Sequence, residues 1–104
     1  MGKEKTIVLD TMEKLKKTVD LFYQQKQKEA LDSLNVVIGE IMKAMDELFA
    51  YKAANQEFEM DEERLTNSLK ECMGAIEAAD YILVADIFQY DFIEYMEELA
   101  EQMD

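Results

Sequence analysis

The stretch LDSLNVVIGEIMKAMDEL, residues 31–48, decides the fold. Leu31, Leu34, Ile38, Ile41, Met45 and Leu48 recur at alternating steps of three and four, the spacing that lays one apolar stripe along a helix seated among antiparallel neighbours. Upstream, Val8, Met12, Leu15, Val19 and Phe22 follow the same rule and predict a first helix. The step from Phe22 to Leu31 breaks the repeat across a polar run, Gln24 to Glu29, which predicts a tight turn there. One continuous helix over 7–52 is the alternative.

Downstream, 54–60 loses periodicity, and Asp61 followed by Glu62 and Glu63 reads as an N-cap with an acidic first turn that suits the helix dipole. Leu65, Leu69, Cys72 and Ile76 give the third stripe. Asp80 directly after Ala78 and Ala79 caps a fourth helix running from about Tyr81 to Met103. The expected architecture is one all-α domain over 1–104, an up-down-up-down four-helix bundle, with a three-helix form built on a long continuous first helix as the alternative. That order sets Lys3 and Lys5 beside Glu97, Glu98, Glu101 and Asp104, where opposite charges would offset unfavourable helix-dipole placements.

Composition supports this and closes off much chemistry. Of 104 residues, 49% are hydrophobic, too many for a disordered chain, and there are three Gly and no Pro, too few turn formers for a β-sandwich or barrel. Without histidine there is no Ser-His or Cys-His nucleophile pair and no imidazole ligand for zinc or haem. Cys72, the only cysteine, has no intramolecular disulfide partner, and its place on the third stripe makes it a core residue. No export signal and no uncharged apolar run of membrane length occurs, so the expectation is a soluble cytoplasmic protein.

The formal charge of -13 is lopsided. Residues 1–52 balance nine Lys against nine acids, whereas 53–104 hold two basic residues and fifteen acidic ones. Such a surface repels phosphate backbones and anionic lipid heads, which argues against nucleic-acid and membrane binding. Glu94 with Glu97 and Glu98 with Glu101 are paired at helical spacing, but no apolar cleft is evident to raise one pKa, so no catalytic residue, metal or cofactor is expected. The aspartates form no calcium loop. Gly39 and Gly74 fall inside helices, where each costs about 1 kcal/mol, and neighbouring backbones approaching closely would explain them.

The fourth helix carries two apolar sides. Tyr81, Ala85, Phe88, Phe92, Met96, Leu99 and Met103 form a core face. Leu83, Ile87 and Tyr90, flanked by Ile82 and Ile93 and interrupted by Asp86 and Glu94, form a second. Five of the ten aromatic residues fall between Tyr81 and Tyr95, so the second face is a candidate interaction surface made of Leu83, Asp86, Ile87, Tyr90 and Glu94. Burial of that face within the bundle is the competing reading.

The run Ala78-Ala79-Asp80-Tyr81-Ile82-Leu83-Val84-Ala85-Asp86-Ile87-Phe88-Gln89-Tyr90-Asp91-Phe92 resembles a segment of small uncharacterised helical proteins of Gram-positive bacteria, in which Gly often stands where Ala79 stands here. The overall form, a small acidic bundle with an apolar face, is similar to flagellar export chaperones, and that likeness implies partner binding. The functional expectation is a non-enzymatic interaction module, chaperone- or adaptor-like, that forms a homodimer or holds a helical protein partner. An acidic decoy that imitates nucleic acid on a basic protein surface is the alternative.

Overall fold

Two hairpin turns fix the order of the helices. The computed structural model describes residues 2–103. Helix α1 (Lys3–Tyr23) and helix α2 (Gln27–Ala54) are separated by a turn in which Gln25 adopts a left-handed φ of 61°. Gln25 N–H donates to the Phe22 carbonyl and Lys26 N–H to that of Leu21, each at 3.0 Å, the paired bonds that satisfy a helix's last carbonyls and reverse the chain. The first two helices are therefore separate. Helix α3 (Glu62–Glu77) ends in the same way: Ala79 has φ 56°, Ala79 N–H donates to Ile76 O at 3.0 Å and Asp80 N–H to Ala75 O at 2.9 Å. Asp61 and Asp80 act as N-caps, accepting from Arg64 N–H and Leu83 N–H at 3.2 Å.

The fourth helix begins as α4 (Tyr81–Asp86), widens into a π-helical segment (Ile87–Ile93) and closes as α5 (Glu94–Glu101). Its inward residues explain the widening. They come in pairs, Val84 with Ala85, Ile87 with Phe88, Phe92 with Ile93, Tyr95 with Met96, and Leu99 with Ala100, all buried. Successive pairs lie three, five, three and four residues apart. The step of five does not fit an α-turn. A π-turn, bonded i to i+5, takes up the additional residue and returns Phe92 and Ile93 to the core side.

The four helices form an all-α bundle with no strand among the described residues. Helix α1 packs against both α2 and the fourth helix, and α3 packs against the fourth helix; α2 and α3 are not close neighbours. Phe22 near the end of α1 stacks on Tyr81 at the start of the fourth helix at 6.0 Å, while Lys16 Nζ reaches Glu97 Oε2 at 2.7 Å, so these two helices run antiparallel. Phe22, Leu48, Leu65, Phe88, Phe92 and Met96 have essentially no exposed surface. Burying each such side chain contributes about 1.5–3 kcal/mol before the entropy of ordering it.

Two stripes are turned relative to their sequence reading. In α2 the buried set is Ala30, Leu34, Val37, Ile41, Ala44, Met45 and Leu48, whereas Ile38 is exposed and Leu31 half-buried. With α1 as its one close helical neighbour, α2 rolls toward α1. Helix α3 rolls toward the fourth helix, burying Ser68 and Ala75 and leaving Leu69 and Ile76 at the edge. Ser68 tolerates this because its hydroxyl donates to Arg64 O at 3.0 Å.

The terminal charges pair differently from the expectation. Among the described residues no ion pair joins Lys3 or Lys5 to Glu97, Glu98 or Glu101, and Asp104 lies outside them. Lys16 takes that role through Glu97, whose hydrogen bond is the main cause of a raised Lys16 pKa. Among the described residues no helix is long and apolar enough to cross a membrane.

Candidate functional site

Of the five residues of the second face, the π segment removes one. Ile87 is 6% exposed and Ile93 fully buried, because the wide turn swings both toward the core. The expectation that Ile87 lines a surface is thus corrected. Leu83 and Tyr90 stay outside, 43% and 59% exposed, with Ile82 beside Leu83. Glu94 is exposed.

Asp86 has an intramolecular partner. The Tyr23 hydroxyl donates to Asp86 Oδ1 at 2.6 Å, joining the last turn of α1 to the point where the fourth helix widens. Burial, then the Asp86 hydrogen bond and charge, push the Tyr23 phenol well above its ordinary value. The outward side of the fourth helix therefore presents Ile82, Leu83 and Tyr90 among Asp86, Asp91 and Glu94, and from Tyr81 to Glu101 the chain has no basic residue.

Segment 55–61 covers the other end of this helix. Phe58 is buried edge-on to Tyr51 at 5.0 Å, Lys52 Nζ donates to the Phe58 carbonyl, and Asp61 N–H donates to the Tyr95 hydroxyl at 2.8 Å. The Arg64 guanidinium lies 4.0 Å from the Tyr95 ring centroid, a cation–π contact. Beside it a shallow cavity of about 430 Å³ is lined by Glu59, Met60, Asp61, Tyr95, Leu99 and Gln102. The loop thus closes over Tyr95 and leaves Leu83 and Tyr90 uncovered. Among the described residues no group of three His, Cys, Asp or Glu side chains is placed to hold a metal ion.

A second apolar area escaped the sequence reading. Val36, Ile38 and Met42 of α2 are exposed, as is Met73 of α3. The signal was present in Val36-Val37-Ile38, since three consecutive apolar residues cannot all face one side of a helix. The expectation that neighbouring backbones approach Gly39 and Gly74 is corrected: among the described residues, a Cβ on either would meet nothing within 4 Å.

Fold and surface together define a small all-α bundle with an acidic fourth helix and exposed apolar side chains on two of its faces. Residues 7–102, all of α2 and α3 and most of the rest, match the family model described as Domain of unknown function (DUF8042), and the chain belongs to that family. No curated protein and no solved structure was found to match it.

Proposed function

We propose that the protein is a non-enzymatic interaction module, chaperone- or adaptor-like, that holds an amphipathic helix of a partner protein against the outward side of its fourth helix. The observation that carries this reading is the exposure of Leu83 and Tyr90, 43% and 59%, on a helix whose charges are all negative. Apolar area supplies the affinity, and Glu94 and Asp91 favour a partner with a basic polar face and disfavour acidic competitors. Asp86 contributes negative potential while held by Tyr23. A second copy is a poor occupant of this side, because two acid-only rims would meet. A cytoplasmic setting suits the unpaired thiol of Cys72.

The test uses two synthetic helices that share a leucine face and differ in polar face, lysine in one and glutamate in the other. The lysine helix is expected to bind with a negative heat-capacity change and to retain binding at high salt, and the glutamate helix to bind far more weakly. Leu83→Asp with Tyr90→Asp should abolish binding and leave helicity intact. Unchanged binding by that double variant would remove the fourth helix from the site. Affinity that collapses with salt and has no heat-capacity signature would favour an acidic decoy instead.

A further inference from the structure

We infer that α2 is the surface through which two copies of this chain pair, antiparallel, with Val36 of each copy seated over Gly39 of the other. The buried side of α2 meets the core, and one flank is fastened to α1 by Lys14–Glu40 at 2.7 Å and by the Thr18 and Ser33 hydroxyls at 2.5 Å. At the centre of its outward side, Gly39, nothing among the described residues lies within 4 Å of where a Cβ would stand. Val36 is 76% exposed and Met42 54%, standing three residues before and three after the glycine and so directly around it on the helix surface.

Gly39 stands exposed near the middle of α2. A glycine in the middle of a 28-residue helix gives up about 1 kcal/mol relative to alanine. Nothing among the described residues accounts for it, since a Cβ there would stand in open space. A helix arriving from outside would account for it, because the absent side chain leaves a seat between Val36 and Met42 that a valine can fill.

Charge selects the occupant. The outward line of α2 reads Lys28, Asp32, Asn35, Gly39, Lys43, Asp46, with every member exposed. Laid antiparallel with Val36 over Gly39, two such helices bring each Lys43 against Asp32 of the copy and each Lys28 beside Asp46, so attraction is repeated by the two-fold axis. A parallel arrangement sets like over like. The fourth helix has no such alternation. This surface is separate from the one proposed for the partner helix, and the two can succeed or fail independently.

Sedimentation equilibrium of the full chain over a range of concentrations tests the inference. The expected species has twice the 12.1 kDa chain mass and dissociates on dilution. Gly39→Leu, which blocks the seat in a position open in the single chain, should raise the dissociation constant at least about tenfold, with circular dichroism and melting cooperativity retained. Lys43→Asp should weaken pairing, and the exchange Asp32→Lys with Lys43→Asp should restore it. Leu83→Asp with Tyr90→Asp should leave pairing unchanged. A chain that stays monomeric throughout, a Gly39→Leu variant that pairs like the parent, or pairing lost in the Leu83 and Tyr90 variant would each overturn the assignment to α2.

Discussion

The Tyr23 hydroxyl rests 2.6 Å from Asp86 Oδ1, across the sequence from the end of α1 to the α-to-π transition of the fourth helix. Tyr23→Phe removes the donor and keeps the ring, so the expected loss is about 1 kcal/mol at neutral pH, below the usual range for a hydrogen bond to a charged acceptor because Tyr23 is 38% exposed. The folded phenol titrates above its ordinary value of 10.0, chiefly through burial and then through Asp86. The protonated form is thus favoured by folding, and stability that is fully present below the unfolded value declines as pH rises beyond it. Urea titrations at neutral and alkaline pH should show a shallower alkaline decline in Tyr23→Phe than in the parent; identical slopes would mean that folding does not hold the Tyr23 phenol protonated.

Both hairpin turns place a residue with a side chain in the left-handed region, Gln25 at φ 61° and Ala79 at φ 56°. That conformation costs a residue with a Cβ about 1–2 kcal/mol, and glycine avoids it. Ala79→Gly and Gln25→Gly should each stabilise the fold by up to about 1 kcal/mol, which for a domain of this size is a rise in melting temperature of about 4 °C. Calorimetry of the single and double variants measures it, and because Gln25 and Ala79 border one surface cavity with Phe22 and Tyr81, the double variant also reads the coupling between the two turns. A fall in melting temperature at either site would show that the side chain contributes more than the strain removes.

The π segment reads as one residue too many in a heptad. Removing Gln89 brings the buried pairs to steps of three, four, three and four, which an unbroken α-helix satisfies. The deletion is expected to keep cooperative melting and full helicity. Deleting Glu98 from α5 instead turns Leu99, Ala100 and Met103 out of register and should lower stability severely, by the two large-side-chain burials of Leu99 and Met103 at about 1.5–3 kcal/mol each. Equal damage from the two deletions would show that the wide turn is needed for its own shape.

Helix order, both short turns, the Asp61 and Asp80 caps and most of the core followed from apolar spacing and capping chemistry, because those are local properties of the chain. The three-four repeat over 31–48 located α2 but not its roll. That roll depends on α1 being its one close neighbour, a tertiary fact that moved Ile38 out and Val37 and Ala44 in. In the fourth helix, a constant turn angle assigned Ile87 and Ile93 to the outside; the step of five between Ile87-Phe88 and Phe92-Ile93 was legible, but a change of helix type was the only way to satisfy it. Tyr23 as the partner of Asp86 was beyond sequence reasoning, since 63 positions separate them.

Cys72 provides a probe of the region where α3 meets the π segment. It is 2% exposed, and its thiol is pushed up to about 12, first by burial and then by the charges of Glu71 and Asp91. The thiolate is the reactive species, so in the folded chain at mildly alkaline pH the sulfur is both protonated and shielded. A thiol reagent should therefore label Cys72 only through opening of the bundle, and the labelling rate should rise with urea in step with loss of helicity. Folding favours the protonated thiol, so this group leaves stability untouched below its unfolded value of 9.0 and lowers it as pH rises further. Cys72→Ala keeps the site apolar and should remove that alkaline contribution for a loss of about 1 kcal/mol in packing, whereas Cys72→Ser buries a hydroxyl and should cost more, about 1–3 kcal/mol. Rapid, complete labelling in native buffer, with helicity unchanged, would show that α3 separates from the fourth helix far more readily than its buried contacts imply.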